Sequence, residues 1–118
     1  MSEFTIYHNP RCSKSRATLA LLQEHGVQPR VVEYLQQPPT RQELEQVVAK
    51  LGIAPAQLVR KGEEIYKSKY ADRTLDDAAW LDAMTRDPIL IERPIVVRGE
   101  RAVLGRPPEN VLALLSDA

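Results

Sequence analysis

Within residues 4–35 the chain runs strand-like, then helix-forming, then strand-like again, and this order restricts its fold more than any other feature. Phe4-Thr5-Ile6-Tyr7 alternates large residues as a strand does and ends at Asn9-Pro10, a turn signal. Ser13 to Leu22 is rich in good helix formers, and that run stops at Gly26. Arg30-Val31-Val32-Glu33-Tyr34-Leu35 reads as a second strand, after which Pro38-Pro39 breaks the chain. A strand–helix–strand start of this kind implies a right-handed parallel crossover.

The rest of the chain adds helices and then a hairpin. Thr40-Arg41-Gln42-Glu43 is a capping box, in which hydroxyl and carboxylate each satisfy an orphan N–H of a helix start. Leu44, Val47, Val48 and Leu51 follow at helical spacing up to Gly52. Pro55 to Tyr70 reads as one or two short helices, and Asp76 to Arg86 as another with Trp80, Leu81 and Met84 inward. Pro94-Ile95-Val96-Val97 and Arg101-Ala102-Val103-Leu104, joined through Gly99, read as a β-hairpin. A final helix is expected from Pro107-Pro108-Glu109 onward, with Val111, Leu112, Leu114 and Leu115 inward. The predicted fold is α/β and thioredoxin-like: a mixed four-stranded sheet flanked by helices, with a helical insertion between the β-α-β and β-β-α halves. With 118 residues and no repeat or linker, one domain over 1–118 is expected.

Composition narrows the function classes. Sixteen Lys plus Arg balance sixteen Asp plus Glu, which argues against a general electrostatic nucleic-acid binder or a polybasic membrane protein. No apolar run approaches the roughly 20 residues of a membrane-spanning helix. The first residues have neither the basic nor the apolar segment of a secretory signal, so a cytoplasmic location is expected.

The chain has one cysteine, Cys12, and two histidines far apart in sequence, so an internal disulfide and a Cys/His zinc site are both excluded. Cys12 stands where the first strand has ended and the first helix begins. Unpaired first-turn N–H groups and the helix dipole there favour thiolate over thiol. Lys14 and Arg16 add positive charge, and the hydroxyls of Ser13 and Ser15 can donate to sulfur. His8 can pair with the thiolate or orient the loop. A structural cysteine is usually a small buried residue among apolar neighbours; here His8, Asn9, Arg11, Ser13, Lys14, Ser15 and Arg16 surround it, which points to a reactive thiol. Spacing excludes two rival motifs. Ser15 stands where a Cys-x-x-Cys dithiol needs its second cysteine, and Thr18 where a phosphatase-type phosphate loop needs its arginine.

The segment His8-Asn9-Pro10-Arg11-Cys12-Ser13-Lys14-Ser15-Arg16 resembles the active-site loop of the glutaredoxin-coupled arsenate reductase family, often called ArsC. Tyr34 to Thr40, Leu58-Val59-Arg60-Lys61, Pro88 to Val97 and Gly105-Arg106-Pro107-Pro108 are similar to family segments in the same order. The best-known members carry Gly-Thr where Ser13-Lys14 stands and have a longer C-terminal tail, so the chain is similar to the shorter members. The resemblance implies Cys12 as nucleophile on arsenate, His8 and Ser15 as supports of the thiolate, and Arg60, Arg93 and Arg106 as holders of the oxyanion. It also implies a cis peptide before Pro94. By position alone, Arg60 beside Lys61 reads as an exposed helix end; the resemblance assigns it to the site.

The expected activity is therefore glutathione- and glutaredoxin-dependent reduction of arsenate, or a similar oxyanion, to arsenite. Glutathione would serve as reducing co-substrate and glutaredoxin as protein partner, with no metal, no bound cofactor, no nucleic acid and no membrane, and with the chain a monomer. Two alternatives are a redox-responsive regulator of the Spx type that binds RNA polymerase, and a glutaredoxin-like monothiol oxidoreductase. Ser15 in place of a second cysteine counts against the first, and three anion-binding arginines exceed what the second demands.

Overall fold

The computed structural model describes residues 3–115. The chain divides into two compact units, one built from residues 1–37 and 93–118 and the other from 38–92. The second is the helical insertion expected between the two halves of the sheet domain.

The first unit holds β1 (Phe4–His8), α1 (Ser13–Glu24), β2 (Arg30–Glu33), β3 (Ile95–Arg98) and β4 (Arg101–Leu104). The sheet order is β2-β1-β3-β4. β1 runs parallel to β2, with Tyr7 opposite Val32 and His8 opposite Glu33, and antiparallel to β3, with Ile6 opposite Val96. This is the mixed sheet of a thioredoxin-like fold. β3 and β4 form the expected hairpin, with Arg98 opposite Arg101 and Gly99 at φ 60° in the first turn position. Positive φ there, and not at the next residue, is the pattern of a type II′ turn, whose twist matches that of the strands.

Strand alternation decides what β1 buries. Ile6 and His8 share the buried face, two residues apart. Ile6 joins Leu22, Val96, Val111 and Leu114 in the core of this unit. His8 is carried on the same face to the C-terminal end of the strand, where α1 begins.

Two sequence expectations change in this unit. β2 ends at Glu33 rather than Leu35, because Gln36 and Gln37 both donate to the Glu33 carbonyl at 2.9 Å and turn the chain. The last element, Pro108–Leu114, is a 3-10 helix, and only Val111 and Leu114 are buried. Three residues per turn bring those two to one side, and Leu112 is left 40% exposed. Arg98 donates to the Leu114 carbonyl at 2.6 Å and Arg101 to that of Ala113 at 3.3 Å, satisfying carbonyls at the end of this element.

The second unit contains α2 (Arg41–Leu51), α3 (Glu64–Lys69) and α4 (Asp77–Arg86), with 3-10 turns at Pro55–Leu58 and Pro88–Leu90. The capping box is present as expected: Glu43 N–H donates to Thr40 Oγ1 at 3.1 Å, and Thr40 N–H to Glu43 Oε1 at 2.9 Å. Gly52 ends α2 in the left-handed conformation at φ 71°. Leu44, Val47 and Val48 of α2 are buried, as are Trp80, Leu81, Ala83 and Met84 of α4. Tyr66 stacks on Trp80 at a centroid distance of 6.2 Å, and Tyr70 tilts against it at 5.8 Å.

Candidate active site at the start of α1

The loop from Asn9 to Cys12 is held by its own backbone. Cys12 N–H donates to the Asn9 carbonyl at 3.0 Å, and Arg11 N–H donates to Asn9 Oδ1 at 3.0 Å. Asn9 is 4% exposed, so both bonds are sheltered from competing water. Cys12 itself is the residue before the first helical position, in an extended conformation (φ −93°, ψ 123°), and its carbonyl accepts the first helical bond from Arg16. The side chain is partly exposed.

Opposing influences act on the thiol. Burial pushes it up, whereas hydrogen bonding from Ser15 N–H, the Arg93 side chain and Lys14 N–H, together with the Arg93 charge, brings it below the ordinary thiol value. The net result is a group biased toward thiolate. The expected helix-start effect is thus carried by main-chain N–H groups of the first turn. Lys14 contributes through its backbone, and its side chain is exposed. Arg106 approaches from the segment after β4. Its Nη1 lies 4.0 Å from Cys12 Sγ and donates to the Arg93 carbonyl at 3.2 Å. Both Arg93–Pro94 and Arg106–Pro107 peptides are cis.

Ser15 acts in a way the sequence did not indicate. Its hydroxyl lies 2.6 Å from His8 Nδ1 and accepts from Asn9 N–H at 3.0 Å. Of the two roles open to His8, the geometry selects orientation of the loop through Ser15. Burial lowers the basicity of His8; the charge of Glu33 opposes this and that of Arg16 adds to it. Arg16 also donates to the Pro10 carbonyl at 2.9 Å, tying helix to loop.

Cys12, His8, Ser15, Arg93 and Arg106 therefore converge within the first unit. Arg60 belongs to the second. There its N–H donates to the Leu90 carbonyl at 2.7 Å and Glu92 N–H donates to that of Leu58 at 2.8 Å, around a Val59–Ile91 bridge. This pairing sets Arg60 beside Glu92, to which Nη1 donates at 2.7 Å, while Nε donates to Glu63 at 3.1 Å. The side chain is 22% exposed, so the surface helix end read from Lys61 alone is replaced by a half-buried ion-paired arginine.

Two residues, Thr18 and Gly105, take part in the site in ways the sequence reading does not assign to them. Thr18 is fully buried, and its hydroxyl lies 2.8 Å from the Lys14 carbonyl and 3.3 Å from that of Gly105. Gly105 precedes Arg106 and is so close to Thr18 and Pro94 that a Cβ would lie 2.5 Å from Thr18 Oγ1 and 2.8 Å from Pro94 Cγ. The only available signal was a glycine directly before Arg106-Pro107. Chemically, the arrangement surrounds a cysteine whose thiol is held below its ordinary value with first-turn N–H groups and two guanidinium groups, donors of the kind a tetrahedral oxyanion takes.

The family model described as the ArsC family matches residues 7–114. The chain belongs to the ArsC family. It is 47% identical over 117 residues to the arsenate reductase of Neisseria meningitidis serogroup A, covering 98% of this chain and 100% of that protein. It is 49% identical over 112 residues to the uncharacterized protein YfgD of Escherichia coli, covering 93% and 94%. Among solved structures, the arsenate reductase from Vibrio cholerae superposes with a TM-score of 0.90 at 46% identity, covering 95% of this ArsC chain and 97% of the other. Among the described residues of this family member, no helix is long and apolar enough to cross a membrane, and no group of three His, Cys, Asp or Glu is placed to hold a metal ion.

Proposed function

We propose that the chain reduces arsenate to arsenite, with Cys12 as nucleophile and glutathione and glutaredoxin as the reducing system. The observation that carries this reading is the convergence of Arg93 and Arg106 on a cysteine that also receives first-turn N–H groups. The Cys12 thiolate attacks arsenic, an S–As bond forms, and an arsenate oxygen leaves as water after taking up a proton. Arg93 and Arg106 hold the anion through that step, since planar, always-charged donors match its oxygens. Arg60 is proposed as a further holder of the anion on the family resemblance alone; its Nε and Nη1 donate to Glu63 and Glu92.

Reduction of As(V) to As(III) takes two electrons, and Cys12 is the chain's one sulfur of this kind. A glutathione thiolate attacks Cys12 sulfur, the S–As bond breaks with its electron pair passing to arsenic, and arsenite departs. The remaining Cys12–glutathione mixed disulfide is opened by glutaredoxin through thiol–disulfide exchange, which restores the thiolate. Enzymes with an internal resolving cysteine can hand a disulfide to thioredoxin; here the second sulfur comes from solution.

The test is a coupled NADPH-consumption assay on the purified chain with arsenate. Turnover is expected with glutathione, glutaredoxin and glutathione reductase, and none with thioredoxin and its reductase alone. Intact mass after oxidation is expected to show one glutathione, on Cys12. Multiple turnovers with thioredoxin and no small thiol would refute the mechanism. Arsenate-independent turnover on a glutathione mixed disulfide would favour the glutaredoxin-like reading, and inactivity on both substrates the regulatory one.

A further inference from the structure

Beside the Cys12 loop lies a cavity of about 150 Å³, with His8, Arg11, Glu33 and Gln36 among its lining residues. His8 is 6% exposed and contributes to this lining, and it stands directly opposite Glu33 in the parallel β1–β2 pair. Glu33 is anchored by its own carbonyl, which accepts from both Gln36 and Gln37 at 2.9 Å. Its side chain therefore emerges from a fixed point at the end of β2.

The hydrogen bonds around Ser15 restrict how His8 carries its proton. Ser15 Oγ already accepts from Asn9 N–H at 3.0 Å. The hydroxyl proton is best placed on His8 Nδ1, 2.6 Å away, provided that nitrogen is an acceptor. A neutral imidazole with an acceptor Nδ1 has its proton on Nε2, and the partner of one ring nitrogen sets the tautomer at the other. The cavity side of the ring holds one carboxylate, that of Glu33. The other charged groups around the ring are cations, Arg16 on α1 and Arg11 on the loop.

We propose that Glu33 is a positioning residue for Cys12: its carboxylate, across the cavity, holds His8 in the Nε2–H tautomer, so that Nδ1 accepts from Ser15 and the first turn of α1 keeps its N–H groups on the sulfur. The proposal rests on Cys12 being the reactive thiol. It concerns a residue outside the oxyanion site and acts through His8 and Ser15, with no contact to substrate.

The experiment is a long-range proton–nitrogen correlation spectrum of the two histidine rings in labelled protein, above the pH at which they titrate. His25 is the internal control, because its Nδ1 lies 3.0 Å from the Leu21 carbonyl and must donate to it. The spectrum is expected to show opposite tautomers, Nδ1–H for His25 and Nε2–H for His8. Glu33→Leu is expected to lose the single Nε2–H pattern at His8 and to raise the pH midpoint of Cys12 alkylation by iodoacetamide. Glu33→Gln, which keeps the size and removes the charge, is expected to shift both readouts in the same direction as Glu33→Leu. Glu33 is exposed at the end of an edge strand, so these variants fold, and a purely structural role would not move a tautomer. An Nδ1–H tautomer at His8 in the wild type overturns the proposal, and so does a Glu33→Leu protein that keeps either the wild-type tautomer or the wild-type midpoint. Failure of the nucleophile reading is seen separately, as a wild-type Cys12 that resists alkylation.

Discussion

Gly105→Ala adds one methyl group at the place where the segment after β4 meets α1. The new Cβ would lie 2.5 Å from Thr18 Oγ1, 2.8 Å from Pro94 Cγ and 2.9 Å from Thr18 Cγ2. These distances fall short of ordinary van der Waals separation by roughly 0.6–1 Å. Neither neighbour can swing aside: Thr18 is fully buried with its hydroxyl bonded to two carbonyls, and Pro94 is a ring. Overpacking of this kind costs about 1–3 kcal/mol. For a chain of this length that corresponds to a fall in melting temperature of about 4–12 °C by calorimetry. Relief of the clash must also displace Arg106, the next residue, so the rate of Cys12 alkylation at neutral pH is expected to change in the same protein. Thr18→Ala removes two of the three clashing atoms, so Gly105→Ala combined with it should be less destabilised than the sum of the single changes, by roughly 0.5–3 kcal/mol of coupling. A Gly105→Ala melting temperature within about 2 °C of wild type, the mark of an unconstrained surface position, would refute the reasoning.

Arg93→Ala is expected to raise the pH midpoint of Cys12 alkylation, because it removes both a hydrogen bond and a charge that favour the thiolate; an unchanged midpoint would separate Arg93 from the sulfur. Arg106→Ala should lower arsenate turnover more than tenfold, the effect of about 1.5–3 kcal/mol from one charged donor, while Cys12 remains alkylatable. With its thiol held below the ordinary value, Cys12 contributes stability fully above that ordinary value and loses it as pH falls through the folded one, so chemical denaturation of Cys12→Ser should lack this rise. At Asp87, burial pushes the carboxyl up but the hydrogen bonds from Tyr70 (2.6 Å) and Lys69 (3.1 Å) bring it lower overall. Its stabilisation is present above the unfolded value and disappears as pH falls through the folded one, so Asp87→Asn should lose less stability than wild type on acidification.

Much of this is legible in the sequence. The order of periodicities in residues 4–35 gave the parallel β1–β2 pair, and Thr40-x-x-Glu43 placed the start of α2 to the residue. Cys12 was recognisable by polar neighbours at a strand–helix junction. What the residues could not reveal is long-range. That Ser15 bonds His8 with its hydroxyl and reaches the sulfur through its N–H depends on where β1 ends against α1. The 3-10 winding of 108–114 was hidden because Val111 and Leu114 fit both periods, and Leu112 suggested the wider helical face. Gly105 has no conformational signal beyond its place before Arg106-Pro107, since its backbone is unexceptional and only the approach of Thr18 and Pro94 requires the missing side chain.

The central strand β1 has its two neighbours at opposite ends of the chain, β2 beginning at Arg30 and β3 at Ile95. A ribosome delivers Cys12, His8 and Ser15 long before it delivers Arg93 and Arg106. A nascent chain that has emerged only as far as Gln37 would carry the thiol with neither guanidinium, and closing so long a loop is slow compared with local helix formation. Full activation of the sulfur thus waits for β3 to dock on β1. A premature stop anywhere before Arg93 would yield a cysteine without either arginine, so the site depends on residues from both ends of the chain.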